Sequence, residues 1–249
     1  MKVLSYADHH NRSGKQKIIC FSFAGGNTYS FNPLKKYIGP QFELITIDYP
    51  GRGLRMNEIL MKDIGSLVND MYLRLLPHIS AGPYVIYGHS MGGIVSYHLA
   101  MLLRKMGKRL PTGILITGCR APSTWDSKEP LHNLPYPELK IELEKMGGIP
   151  SEILDDNDSM RFFEPILRAD FSVVDSHVYE EYEPLPIPFK ILTGTEEDIS
   201  EEHAMRWQTE TIYPLYFKQL SGGHFFIFDH PELIVREMEE MLYTARTAQ

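Results

Sequence analysis

Tyr84-Val85-Ile86-Tyr87-Gly88-His89-Ser90-Met91-Gly92-Gly93 is a β-rich apolar run that breaks into Gly-x-Ser-x-Gly and opens a largely apolar segment from Ile94 to Met106. The run reads as a buried strand and the segment as a helix that is apolar nearly all round, hence also buried. A serine on a sharp strand-to-helix turn can project its hydroxyl only if the residues two positions away carry no Cβ to collide with it. Gly88 and Gly92 meet that requirement around Ser90. The pattern is common by itself; its setting between a strand and a buried helix gives it weight. The bland alternative is a glycine-rich turn without a catalytic role.

Outward from this turn, strand-like runs recur. Lys17 to Phe23 ends at Gly25-Gly26, Glu43 to Tyr49 ends at Pro50-Gly51, and Gly113 to Thr117, Pro188 to Thr193 and Leu215 to Leu220 follow. Between the second and third runs, Ile64, Leu67, Val68, Met71, Tyr72, Leu75, Leu76 and Ile79 fall at the spacing of an amphipathic helix over 64–79. A closing helix begins at Pro231. Strands alternating with helices predict an α/β fold whose mostly parallel sheet is covered on both faces. Residues 1–16 are polar and aperiodic, an expected N-terminal arm, and 17–249 read as one domain. Residues 120–186 lack β-runs and are rich in Pro and acidic residues, as a helical lid inserted between two neighbouring strands would be.

The chain has 249 residues and a formal charge of −7, which argues against nucleic acid as a partner because phosphate contact needs a dense Lys/Arg footprint. No stretch approaches the roughly 18 apolar residues of a membrane span, so no membrane role is expected. Cys20 and Cys119 each sit in an apolar segment and read as buried free thiols; with no signal-peptide pattern at the start, a cytoplasmic location is expected. No metal-ligand spacing, P-loop or dinucleotide fingerprint is present, so no cofactor is expected. No helix outside the core shows an extra apolar face, which points to a monomer.

A serine hydroxyl needs a base. Of ten histidines, His224 follows Ser221-Gly222-Gly223 directly after the last strand and so shares the carboxyl-end rim with Ser90. His230 is its distant rival. The acid should follow the penultimate strand, in Glu196-Glu197-Asp198; Asp198 has the shorter, stiffer side chain, and Glu197 is the alternative. Two backbone N–H groups should hold an oxyanion. Met91, the residue after the nucleophile, supplies one, and the loop Phe23-Ala24-Gly25-Gly26 the other, Ala24 being preferred with Gly25 still open. Arg104, Lys105, Lys108 and Arg109 form a basic cluster that reads as dipole complementation at a helix end, with docking of an acidic partner as the alternative.

Together these segments resemble one family, the stand-alone (type II) thioesterases of nonribosomal peptide and polyketide synthases. The resemblance runs from Cys20-Phe21-Ser22-Phe23-Ala24-Gly25-Gly26 to the last helix. It includes Tyr49-Pro50-Gly51-Arg52-Gly53 with Arg55, Met146-Gly147-Gly148-Ile149-Pro150, Pro165-Ile166-Leu167-Arg168-Ala169-Asp170-Phe171 and Gly222-Gly223-His224-Phe225. It implies an α/β-hydrolase fold and hydrolysis of acyl groups from the phosphopantetheine arm of acyl or peptidyl carrier protein domains, clearing stalled units in secondary-metabolite synthesis. The family pattern after the penultimate strand is Gly-x-x-Asp, whereas the third position after Gly194 is Glu197, with Asp198 one further on. A carboxylesterase or lipase acting on free esters shares every triad element and is the alternative; an inactive hydrolase fold used as a binding protein is a more distant one.

Overall fold

The computed structural model describes residues 15–80, 82–125 and 130–247. Six strands, β1 (Gln16–Phe21), β2 (Phe42–Thr46), β3 (Tyr84–His89), β4 (Ile114–Thr117), β5 (Phe189–Gly194) and β6 (Tyr216–Leu220), form one sheet in the order β2-β1-β3-β4-β5-β6. All neighbours are parallel, with Ile18 opposite both Leu44 and Val85, Ile86 opposite Ile114, and Ile191 opposite Phe217. The helices are α1 (Asn32–Lys35), α2 (Ile64–Ile79), α3 (Met91–Lys105), α4 (Tyr136–Met146), α5 (Ser151–Asp155), α6 (Asn157–Asp175), α7 (Glu201–Met205) and α8 (Pro231–Thr247).

Side-chain alternation along each strand divides the core in two. Ile19, Phe21, Tyr84, Ile86, Ile114 and Ile116 pack with α2 and α3 on one face. Ile18, Cys20, Val85, Tyr87, Leu115 and Leu192 pack with α8 and with Leu34 of α1 on the other. Because both faces are covered, the strands read as continuous apolar runs rather than alternating ones. α2 spans the predicted 64–79 and is capped by Asp63, whose carboxylate accepts from the Ser66 N–H at 2.8 Å.

Two boundaries differ from the sequence expectation. Gln16, placed in the arm, is the first residue of β1: it pairs with Phe42, and its N–H donates to Gln41 O at 3.2 Å. Polar side chains masked its strand character; residues 1–14 of the expected arm lie outside the described residues. The helix after Ser90 starts at Met91, three residues before its apolar run, because Gly92 and Gly93 carry no hydrophobic signal although they are helical. Between β4 and β5 the segment 120–186 holds α4, α5 and α6 and, among its described residues, no strand. No helix among the described residues is long and apolar enough to cross a membrane.

An all-parallel sheet sends every strand's exit loop to the same edge, where ligands of open α/β sheets bind. The loops after β1, β3, β5 and β6 therefore converge. They carry Ala24, Ser90, Glu197 and His224.

Candidate active site

Ser90 has φ 55° and ψ −121° and is the single non-glycine with positive φ among the described residues. Such a conformation costs on the order of 1–3 kcal/mol and persists only where the surroundings impose it. Here they do. The Ser90 N–H donates to Thr117 O of β4 at 2.9 Å, and the Gly93 N–H donates to Ser90 O at 2.8 Å. A Cβ on Gly88 would lie 2.1 Å from Gly92 O, and one on Gly92 would lie 2.0 Å from Phe21 O. The glycines flanking Ser90 thus permit backbone-to-backbone packing of β1, β3 and the start of α3.

His224 lies with Ser90 on the wall of one cavity of about 260 Å³. Its Nδ1 is 2.9 Å from Glu197 Oε1, and Glu197 Oε2 accepts the Gly194 N–H at 3.1 Å. The Glu197 side chain is 2 % exposed and that of His224 17 %. A carboxylate oxygen can only accept, so in the neutral imidazole this contact puts the proton on Nδ1 and leaves the Nε2 lone pair free. Of the two acids left open, the structure places Glu197 against His224, whereas Asp198 is an exposed residue whose carbonyl accepts from Arg120 Nη2 at 3.1 Å. The shorter aspartate was preferred on stiffness, but the Gly194 N–H clasps the longer glutamate and supplies that stiffness in another way. The rival His230 bonds through Nε2 to Ser221 O at 2.9 Å.

His89 lies beside this pair, its ring centroid 4.9 Å from that of His224. It is fully buried, its Nδ1 is 2.9 Å from Thr117 Oγ1, and burial followed by the proximity of His224 holds its pKa well below the ordinary histidine range. A neutral His89 adds no positive charge to oppose an imidazolium at His224. Cys119 is also close, but burial, and then the Glu197 charge, push its thiol up to about 12, so it is inert as a nucleophile. Both cysteines are buried and free.

Met91 is the first residue of α3, so its N–H has no acceptor within the helix and sits at the positive end of the helix dipole. On the other side, Phe23-Ala24-Gly25-Gly26 is a tight turn closed by Gly26 N–H to Phe23 O at 2.9 Å, with Gly25 at φ +78° as a type II turn demands. The Gly25 N–H is already engaged, donating to Asp170 Oδ2 at 2.7 Å. Ala24 donates to no acceptor among the described residues. Of the two candidates, Ala24 is the one with a free donor.

That Asp170 contact was invisible to sequence reasoning. Asp170 is 1 % exposed and forms a two-pronged ion pair with Arg52, Nη2 to Oδ1 being 2.6 Å and Nη1 bonding Oδ2. Arg52 in turn lies over the Tyr49 ring at 5.3 Å, and the Tyr49 hydroxyl donates to Ser22 O at 3.0 Å. Arg55, the second arginine of that segment, is bound by Glu58, Asp70 and the Asp48 carbonyl and ties the loop to α2. The signal in the sequence was a carboxylate on a helix face that is otherwise apolar.

Above Ser90 the cavity is walled by α4 to α6, with Leu143, Met146, Ile149, Phe163, Leu167 and Phe171 among its lining. Gly148 sits so close to Phe225 that a Cβ there would come within 2.2 Å of the ring. His224 is the one titratable side chain on the wall. The basic cluster Arg104–Arg109 is elsewhere: α3 runs away from Ser90, which puts Arg104 about 21 Å along the helix from it. Arg104 donates to Glu183 O at 2.6 Å and Pro184 O at 3.1 Å. Among the described residues no group of three His, Cys, Asp or Glu side chains is placed to hold a metal.

A sequence profile of the thioesterase domain matches residues 16–242. A probable cadicidin biosynthesis thioesterase of Streptomyces griseus is 28% identical over 96% of this chain, which spans 66% of that protein's length. The medium-chain S-acyl fatty acid synthase thioesterase of Rattus norvegicus is 29% identical over 88% of this chain and 84% of its own. Among solved structures, the type II thioesterase BorB from the borrelidin biosynthetic cluster superposes with a TM-score of 0.83 at 27% identity, covering 92% of this chain and 93% of its own.

Proposed function

This chain belongs to the thioesterase family, and from that premise we propose that it removes acyl groups from the phosphopantetheine arm of a carrier protein in nonribosomal peptide or polyketide assembly. The observation that carries the reading is the His224–Glu197 pair sharing the wall of an apolar cavity with a strained Ser90. Biosynthetic thioesterases among its relatives support the assembly-line setting.

In this reading Ser90 Oγ attacks the thioester carbonyl while His224 Nε2 takes its proton, and Glu197 stabilises the imidazolium. The N–H groups of Met91 and Ala24 hold the oxyanion of the tetrahedral intermediate. Collapse breaks the C–S bond, and the pantetheine sulfur leaves with the proton from His224. Water, deprotonated by the same His224, then attacks the acyl-serine and frees the acid. The segment 120–186 acts as a lid whose apolar lining accepts the acyl chain and excludes water from the oxyanion. The aliphatic and aromatic wall favours apolar acyl groups over charged aminoacyl groups, whose burial there would find no counter-charge. In this reading the enzyme works in a reducing cytoplasm, a setting that suits its two buried free thiols.

The test compares kcat/KM on acyl-loaded carrier protein with that on nitrophenyl esters, for the natural chain and for Ser90→Ala. Preference for the carrier-bound thioester, lost in Ser90→Ala, is expected. Higher kcat/KM on the free esters would move the assignment to a carboxylesterase, and turnover surviving in Ser90→Ala would remove the nucleophile.

A further inference from the structure

We propose that Asp170 and Arg52 are positioning residues for the oxyanion donor at Ala24, so that α6 of the helical insert fixes a hydrogen bond on which the chemistry depends. The inference rests on the thioesterase reading above and adds to it the source of the loop's rigidity.

The turn 23–26 has three peptide units after Phe23. One is fixed by the Gly26 N–H to Phe23 O bond. The Ala24–Gly25 unit is fixed from outside the turn, by Gly25 N–H to Asp170 Oδ2 at 2.7 Å. Rotation of that unit interconverts type II and type I turns and would re-aim its neighbour, the Phe23–Ala24 unit that carries the Ala24 N–H. Asp170 blocks the rotation by holding its hydrogen. Apolar contact from the same helix reinforces the grip: Leu167, one turn earlier on α6, packs so tightly on Gly25 that a Cβ there would lie 2.9 Å from its Cδ2.

A carboxylate is an awkward choice for this task, since it stands one hydrogen bond from a loop meant to stabilise negative charge. Arg52 answers that problem. Its guanidinium engages both Asp170 oxygens, with 5 % of Arg52 and 1 % of Asp170 exposed, so the clamp presents little net charge to the oxyanion. The Tyr49 ring beneath Arg52, bonded to Ser22 O on the strand-exit side of the same loop, holds the arginine against the turn. The clamp therefore joins three segments far apart in sequence: the exit of β1, the loop after β2 and α6.

The experiment measures kcat and KM on an acyl-pantetheine thioester, the affinity of an alkylboronic acid, and the affinity of the non-hydrolysable acyl-pantetheine amide, in Asp170→Ala, Asp170→Asn and Arg52→Lys. The boronate adduct on Ser90 places an oxygen on the oxyanion donors; the amide reports ground-state binding alone. Asp170→Ala is expected to lower kcat about 10- to 100-fold with KM within about 2-fold, as loss of alignment does. Boronate affinity should fall by a similar factor and amide affinity should hold. Asp170→Asn keeps an acceptor for the Gly25 N–H but turns an NH2 toward Arg52, so it should recover only part of the loss. Arg52→Lys, which keeps the charge and loses the two-pronged grip, should lower kcat about 10-fold with the same boronate signature, and it covers the case in which Asp170→Ala does not fold. Unchanged kcat in a folded Asp170→Ala or Arg52→Lys protein, or equal weakening of boronate and amide, would overturn the proposal. The boronate arm needs no thioester, so it tests the clamp even in an enzyme that prefers free esters, an outcome that would refute the thioesterase reading alone.

Discussion

Replacing Glu197 by Gln keeps the side chain's size and its oxygen for the Gly194 N–H but removes the charge facing His224. At the observed 2.9 Å between Glu197 Oε1 and His224 Nδ1, a full charge pair is worth about 6 kcal/mol at an effective dielectric of about 20, and about half that at twice the dielectric. The Glu197 side chain is 2 % exposed, which favours the lower dielectric; His224 at 17 % pulls toward the higher. Stabilisation of the imidazolium by about 3–6 kcal/mol corresponds to a kcat loss of about 10²–10⁴-fold, because the imidazolium forms only as Ser90 attacks. KM should change little. Stopped-flow or steady-state hydrolysis of an acyl-pantetheine thioester measures both constants, with Asp198→Asn as the matched control at the neighbouring carboxylate. That control is expected within about 2-fold of the natural enzyme, since Asp198 is exposed and another residue faces the base. The reverse pattern, collapse in Asp198→Asn and survival in Glu197→Gln, would refute the assignment of the acid and with it the view that the glutamate substitutes for an aspartate.

Gly92→Ala should fail on stability rather than chemistry: its Cβ would sit 2.0 Å from Phe21 O, a clash with backbone that no rotamer relieves, and a cost of about 4 kcal/mol or more is expected. A melting temperature lowered by about 10 °C or more, or loss of soluble protein, would show it; an unperturbed melt would contradict the packing described. Acid should destabilise the fold through His98, whose imidazole is pulled down to about 4 from 6.5 by burial and then by His177, with Nε2 of His98 2.9 Å from Nδ1 of His177. The unfolded chain takes up that proton as pH falls through 6.5 and the folded chain does not until about 4, so about 3 kcal/mol is lost across that window and none above it. His98→Gln should flatten the dependence of the melting temperature on pH between 7 and 4, and an unaltered slope would contradict this origin.

The parts of the molecule that were legible in the sequence are those in which local pattern and burial agree. Ile64 to Ile79 announces α2 because every third or fourth residue is buried, and the sharp turn at Ser90 announces itself because two glycines stand at a strand-to-helix transition. α1 escaped notice: four residues around Pro33 are too short to show a period. The acid could not be chosen because Glu197 and Asp198 differ by one position, and which of them faces His224 is set by the path of the loop after β5, held by Glu196 N–H to Gly222 O at 3.0 Å. The Arg52–Asp170 clamp lay in two segments already singled out by their resemblance, yet nothing in either segment says that they touch. Long-range ion pairs have no local signature.

The two glycines around Ser90 and the residues lining the cavity differ in what they touch. Around Gly88 and Gly92 the nearest neighbours are carbonyl groups of the main chain, which no substitution elsewhere in the sequence can trim to make room. Along the cavity, Leu143, Leu167 and Phe171 pack in one cluster as side chains, and a larger residue at one position can be offset by a smaller one at the next. Mutational drift therefore has two speeds within one site: the turn at Ser90 is closed to compensation, while the cavity wall can be exchanged pairwise. A library aimed at new acyl groups belongs on α4 and α6, with positions 88–92 left untouched.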